Sequence, residues 1–353
     1  MLAVFRWISA LLITSMLIIS GCSDNQSDET NQDKQTAEKV TWRFALEEVE
    51  GSVQDAYAQE FKQRVEKASN GNISVEIYPY GALGTSSQLT ELVQSDAIEL
   101  AFASPGHLAS VIPEVGIFTL HFVLSDDNDI NKQVLSSDKV HGLLESAYEQ
   151  QGLALLSVVP EGWMVWTADK PLQTPADFAG FKMRTMTSPI LVKSYEAYGA
   201  NPTPLPYSEV YSALQLGQID GQVNPVFAIE EMSFYEEQDV MTFARHAQFV
   251  STLIAGNTWR TNLPKAQQEV LQATVNDMVD WIYAKQADFN KARLDKIKAA
   301  GGTKVIELSP AEREQFRQAS LNVRDIYLEQ AGERGELLLD TITKMVNEME
   351  NSQ

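Results

Sequence analysis

The chain carries one cysteine in 353 residues, Cys22, so disulfides within the chain and thiol catalysis in its body are excluded. Histidine is scarce as well. There are four, His107, His121, His141 and His246, and no pair has the His-Glu-x-x-His spacing of a zinc peptidase. No Gly-x-Ser-x-Gly elbow, phosphate-binding loop or dinucleotide fingerprint is present. These absences argue against an enzyme, and the sequence calls for no metal and no cofactor. Positive charge is short too: 27 Lys and Arg stand against 48 Asp and Glu, a formal charge of −21. That argues against nucleic-acid binding, which relies on a basic surface, and fits a solvated, secreted or salt-exposed protein.

Long apolar runs are missing apart from Ile8–Ile19, which is short for a membrane span. Arg6 precedes it and Ile19-Ser20-Gly21-Cys22 follows, so residues 1–21 read as a secretory leader. The run resembles a bacterial lipobox, in which the cysteine is acylated. An ordinary signal peptide beside a chance cysteine is the alternative. After Cys22, residues 23–39 are polar and lack large apolar side chains, the composition of a tether spanning roughly 20 to 25 Å. An anchor of this kind needs a second acyl chain, because one alone binds marginally.

What is present is alternation of strand and helix. Val40, Trp42, Phe44 and Leu46 alternate with other residues, so the body opens with a strand ending near Glu47-Glu48. Ser52 then opens a helix with Val53, Tyr57, Phe61 and Val65 on its buried stripe, ended by Gly71. Strands at 73–78 and 98–103 follow, with a helix between them. Residues 126–150 read as mostly helical, and 152–159 and 165–168 as two further strands. Pro264 opens a long helix reaching Gly301-Gly302, with Leu271, Val275, Met278 and Ile282 on one face. Its length implies that it kinks or bridges two lobes. Ser309-Pro310 caps the last helical region.

The most informative stretch is Lys182–Pro225. Residues 181–185 form a predicted strand, and Ser188-Pro189 opens a helix after it. Pro202–Pro206 is extended, Ser208 caps a helix over 209–216 that Gly217 stops, and 219–223 is a strand ending at Asn224-Pro225. Such β-α-β units build parallel sheets, whose ligands bind beyond the strands' carboxyl ends. Arg184 and Asn224 stand at those ends. A guanidinium keeps its charge and matches a carboxylate with two parallel hydrogen bonds, and an Asn amide can donate to the same group. The competing readings are a structural ion pair for Arg184 and a turn for Asn224.

The runs Gly180-Phe181-Lys182-Met183-Arg184, Gly199-Ala200-Asn201-Pro202-Thr203-Pro204-Leu205-Pro206-Tyr207-Ser208-Glu209-Val210-Tyr211 and Asp220-Gly221-Gln222-Val223-Asn224-Pro225 resemble the solute-binding proteins of TRAP transporters. These tripartite, ATP-independent importers pass small carboxylates to an ion-driven permease. The resemblance spans residues 40 to 345 and implies an α/β, two-lobed, periplasmic-binding-protein-like fold, with a ligand cleft between the lobes and a long helix crossing both. Lobe I is expected over 40–162 plus about 250–280, and lobe II over 163–249 plus about 281–353. The implied partners are a small organic carboxylate or zwitterion, the TRAP permease subunits, and a membrane through acylated Cys22. The implied location is periplasmic or extracytoplasmic.

Within the family the pattern is most similar to ectoine-binding subunits, which share runs like Trp42-Arg43-Phe44, Glu47–Gly51, Ser104-Pro105-Gly106, Pro160-Glu161-Gly162 and Thr185-Met186-Thr187. There the glutamate matching Glu48 faces the ligand's cationic ring, and Tyr207 and Phe249 match aromatic positions that cover it. Sugar-acid members have a second arginine where this chain has Met164. His107 replaces a phenylalanine, Tyr207 a tryptophan, and Ala228 an aromatic. Phe227 is expected to line the cleft. Trp166 either fills volume in the cleft, on the same strand face as Met164, or packs in the core. In the cleft, His107 would titrate near its ordinary value of about 6.5. The expected ligand is ectoine or hydroxyectoine, with another small monocarboxylate or keto acid, or a ligand-sensing lipoprotein of the same fold, as the alternatives.

Overall fold

The computed structural model describes residues 39–352, so the leader, Cys22 and the tether as far as residue 38 lie outside the described residues. The body opens with β1 (Val40–Ala45), where Trp42 and Phe44 point into the core and Thr41 outward. The helix Val53–Ala68 follows. Ser52 caps it by accepting the Asp55 amide at 3.1 Å, and Val53, Tyr57, Phe61 and Val65 are buried as their spacing requires. Each such side chain contributes about 1.5 to 3 kcal/mol through burial. β2 (Ile73–Tyr78), the helix Ser86–Gln94 and β3 (Leu100–Ala103) complete a parallel unit in which β1 lies between β2 and β3.

A second unit is built from β5 (Lys182–Thr185), β6 (Asn201–Pro204) and β7 (Gly221–Pro225), introduced by β4 (Leu153–Ala168). β8 (Val240–Phe243), β9 (Gln248–Gly256) and β10 (Lys304–Glu307) follow in the chain. The sheet order is β2-β1-β3-β9-β4-β7-β5-β6, with β8 beside β4 and β10 beside β8. β5 runs parallel to β6 and β7, and β3 and β4 both pair antiparallel with β9. β4 and β9 thus join the two parallel halves.

The two short strands expected at 152–159 and 165–168 are one strand of 16 residues. Its first part pairs with β9 as far as Trp163, and Met164–Ala168 pairs with β7. Pro160-Glu161-Gly162, which reads as a break, is a register irregularity inside the strand. Gly162 adopts φ +141°, and a Cβ there would lie 2.5 Å from Asn290 Nδ2, so glycine is required on both counts. Asn290 donates to the Glu161 carbonyl at 2.7 Å and accepts from the Phe227 amide at 3.2 Å. It belongs to the helix Lys265–Ala300, 36 residues and about 54 Å long, which packs on β4, on the helix Val53–Ala68 and on the helix Val226–Glu231. Ser208 is not the expected helix cap. A 3₁₀ turn, Tyr207–Glu209, precedes the helix Val210–Gln215, and the Ser208 hydroxyl accepts from Tyr80 at 3.4 Å. Among the described residues no helix is long and apolar enough to cross a membrane.

Candidate ligand-binding site

The carboxyl ends of β1, β3, β5 and β7 converge on one cavity of about 410 Å³, open to solvent on one side. Glu48, His107, Arg184, Tyr207, Asn224 and Phe249 all line it.

Arg184 is the single Arg or Lys on the cavity wall and is 1% exposed. Its Nε and Nη2 donate to the Leu205 carbonyl at 3.1 and 2.8 Å, while Nη1 has no protein partner and no carboxylate pairs with it. A structural ion pair is therefore excluded. Burial pulls the guanidinium down to about 10, which still leaves it charged at neutral pH. Asn224 Nδ2 donates to Gln222 Oε1 at 2.5 Å, so its second amide hydrogen and its oxygen remain for a ligand.

The same wall carries acid. Glu47 and Glu48 line the cavity, and Gln54 holds them in place. The Glu47 amide donates to Gln54 Oε1 at 2.8 Å, and the Gln54 amide donates to Glu48 Oε2 at 3.2 Å. Gln54 Nε2 donates to Glu161 Oε1 and to Ser251 Oγ, each at 3.1 Å. Burial pushes the Glu47 carboxyl up to about 8, helped by the Glu161 charge and opposed by hydrogen bonds from Ser104. Burial first, and then the Glu161 charge, holds Glu48 well above the usual carboxylate range, and burial raises Glu161 as well. Behind Tyr207, whose hydroxyl donates to Glu231 Oε1 at 3.2 Å, burial pushes Glu231 to about 8.

Tyr207 and Phe249 are partly buried and offer aromatic faces. His107 Nδ1 is 3.2 Å from Thr187 Oγ1. Burial and the Arg184 charge bring its pKa down to about 4, so the expected titration near 6.5 is corrected: His107 stays neutral across physiological pH. Two expected residues are not on the cavity wall. Trp166 is fully buried, with Nε1 donating to the Tyr195 hydroxyl at 2.9 Å and its ring packed on Phe178, Phe316 and His246. Phe227 is fully buried in the core, because its helix turns it inward beneath the long helix.

Sequence reading missed Glu47, Gln54, Ser86 and Met186, which also line the cavity. Gln54 had a usable signal. It shares a helical face with Tyr57, Ala58, Phe61 and Val65, where a polar residue must be buried.

The chain matches the family model described as bacterial extracellular solute-binding protein, family 7, over residues 44–330. It is 37% identical over 301 residues to the ectoine-binding periplasmic protein TeaA of Halomonas elongata, covering 85% of this chain and 88% of that one. The solved TeaA structure matches with a TM-score of 0.84. The ectoine/5-hydroxyectoine-binding periplasmic protein UehA of Ruegeria pomeroyi is 34% identical, covering 86% of this chain and 89% of that one. A TRAP periplasmic solute-binding protein of Marinobacter aquaeolei VT8, solved in an apo, open state, is 47% identical with a TM-score of 0.83, covering 86% of this chain and 99% of that one.

Proposed function

Because the chain belongs to bacterial extracellular solute-binding protein family 7 and is a TRAP-type periplasmic solute-binding protein, we propose that its cleft captures a small zwitterion of the ectoine or 5-hydroxyectoine type and passes it, chemically unchanged, to the membrane permease. The observation that carries this reading is the polarity of the cavity. One buried guanidinium with a free Nη1 shares the cavity wall with two glutamates, and two further glutamates are electrostatically coupled to them. A plain carboxylate satisfies only the Arg184 end. A ligand that also carries a delocalised cation satisfies both, with Tyr207 and Phe249 against its ring faces. The relatives that bind ectoines support the same choice.

In this mechanism Arg184 and Asn224 take the carboxylate, Glu48 takes the cationic ring, and closure of the lobes expels water, which strengthens both contacts. The lobes are 40–162 with about 250–280, and 163–249 with about 281–353, so β4 and β9 carry the hinge. Cys22, once acylated, tethers the body to a membrane surface. Membrane fractionation of Cys22→Ser checks the tether, since the same distribution as wild type would remove it.

A thermal-shift screen of residues 39–353 against ectoine, 5-hydroxyectoine and small mono-, di- and keto-carboxylates tests the function. A ligand at 100 times its dissociation constant stabilises the fold by about 2.7 kcal/mol. Shifts with ectoines are expected. A shift with a plain carboxylate alone would overturn the zwitterion, and no shift with any of them would overturn the proposed solute class.

A further inference from the structure

Beyond Met186 and Phe249 lies a second, smaller cavity whose free space is close to water-sized until Met186 moves, and these two side chains line both. No Asp, Glu, Lys or Arg lines it. Its walls include His121, His246 and Gln248, each at least nine-tenths buried. Each carries one polar atom with no protein partner: His121 Nε2, His246 Nδ1 and Gln248 Oε1. Their other polar atoms are fixed. His121 Nδ1 is 2.6 Å from the Tyr198 hydroxyl, and Gln248 Nε2 donates to Asn128 Oδ1 at 2.6 Å. The Tyr195 oxygen accepts from Trp166 and lies 3.4 Å from His246 Nε2, to which its own hydrogen can be given. In that tautomer neutral His246 carries its hydrogen on the unpartnered Nδ1. Burial holds both imidazoles well below their ordinary pKa, so the cavity is polar but uncharged. The partition itself is soft. Met186 is a flexible thioether, and it fits there because residue 106 is glycine: a Cβ at Gly106 would lie 2.3 Å from Met186 Sδ.

We propose that this cavity is a side pocket of the solute site, taking an uncharged hydrogen-bonding arm of the ligand, such as a hydroxyl or an acetamide, with Met186 as a movable partition. The inference rests on the proposed capture of a zwitterion by Arg184. An amide matches the pocket group for group, its carbonyl accepting from His246 Nδ1 and its N–H donating to Gln248 Oε1. A charged arm finds no counter-ion there. Buried polar atoms that a ligand must satisfy discriminate strongly against ligands lacking the matching group.

The test is calorimetric binding of alanine and of ω-acetylated diaminobutyrate, ornithine and lysine, zwitterions that share the carboxylate and ammonium and differ in arm length. One arm length is expected to bind about tenfold or more tighter than alanine in the wild type. Gly106→Ala, whose Cβ would crowd Met186 at Sδ, Cε and Cβ, and His246→Phe are expected to reduce that gain to about threefold or less. Arg184→Met is expected to abolish binding of the whole series. Arms that add nothing over alanine, or a gain that survives both pocket variants, would overturn the side pocket while leaving Arg184-dependent capture standing. Absence of any Arg184-dependent binding would overturn the capture reading and the side pocket with it.

Discussion

Arg184 and Glu48 line the same cavity, and no ion pair joins them. Each is held by backbone instead, Arg184 by the Leu205 carbonyl and Glu48 by the Gln54 amide. A buried cation and a buried carboxyl that its surroundings hold protonated leave their attraction unmade until a dipolar body binds and draws the carboxyl into its ionised form. That arrangement costs stability in the empty protein and returns it on binding.

The first prediction concerns Arg184→Met, which keeps the apolar stem and removes the charge. Solute affinity is expected to fall by about 3 to 5 kcal/mol, the cost of breaking a buried charge pair. The melting temperature of the empty protein is expected to stay level or rise, because no protein carboxylate loses a partner. Calorimetry and thermal unfolding on one preparation check both, and affinity retained within about tenfold would remove Arg184 from the site.

Glu48→Gln separates the two halves of the ligand. It keeps the side-chain volume and removes the charge that would face a cationic ring. Affinity for ectoine is expected to drop by about 1.5 to 3 kcal/mol, the worth of a charged hydrogen bond, while binding of a plain monocarboxylate holds or improves. Equal losses for both ligands would show that Glu48 supports the wall and does not read the cation.

Gln54→Met tests a residue that lies outside the runs the chain shares with its family. One side chain serves the Glu47 amide, the Glu161 carboxyl and Ser251. Replacing it leaves the buried Glu47 amide unpartnered and takes one hydrogen bond each from Glu161 and Ser251, at about 1 to 3 kcal/mol for an unpaired buried group. The variant is expected to lose about 2 to 5 kcal/mol of stability in denaturant unfolding and to weaken binding with it. A loss under about 0.5 kcal/mol would place the carboxylate cluster under some other control.

Much of this was legible in the sequence for reasons that can be named. Ser52 and Ser309 cap helices because a side-chain oxygen before an apolar stripe has few other uses, and both caps are observed. Arg184 and Asn224 could be placed because a short strand followed by a helix-opening signal fixes where the strand ends. The continuity of β4 was hidden because a proline and a glycine within three residues look like a break, and only the partner β9 shows that the ladder runs on through them. Trp166 was ambiguous for a related reason: alternation says which face a strand residue takes, but not whether that face meets a cavity or the rings of Phe178 and Phe316. The carboxylate cluster was only half visible. Glu47 and Glu48 are adjacent in sequence, whereas Glu161 and Glu231 reach them from β4 and from the helix after β7, and nothing local to either announces the meeting.

The last prediction follows from that cluster and concerns pH. Glu47 and Glu231 titrate near 8 in the folded protein and near 4.5 when unfolded. Raised acids contribute stability that is complete below the unfolded value and is lost as pH rises through the folded one. His107 and His121 are shifted the other way, to about 4 and about 3 from 6.5, so their contribution is complete above 6.5 and is lost as pH falls toward those values. The two trends oppose each other between about pH 4.5 and 6.5, and above that only the carboxyls act. The empty protein is therefore expected to lose stability from about pH 6.5 to 8, at roughly 1 kcal/mol per pH unit for each fully shifted carboxyl. A bound cation favours the ionised carboxyls and lowers their pKa, so a zwitterion flattens this decline and binds more tightly as pH rises, while a plain carboxylate leaves the decline in place. Denaturant unfolding across that window, with and without ligand and with Glu47→Gln as the control for the slope, checks the sign directly. A level or rising profile in the empty wild type would mean that the buried carboxyls are already ionised, and the electrostatic case for a cationic ligand would go with them.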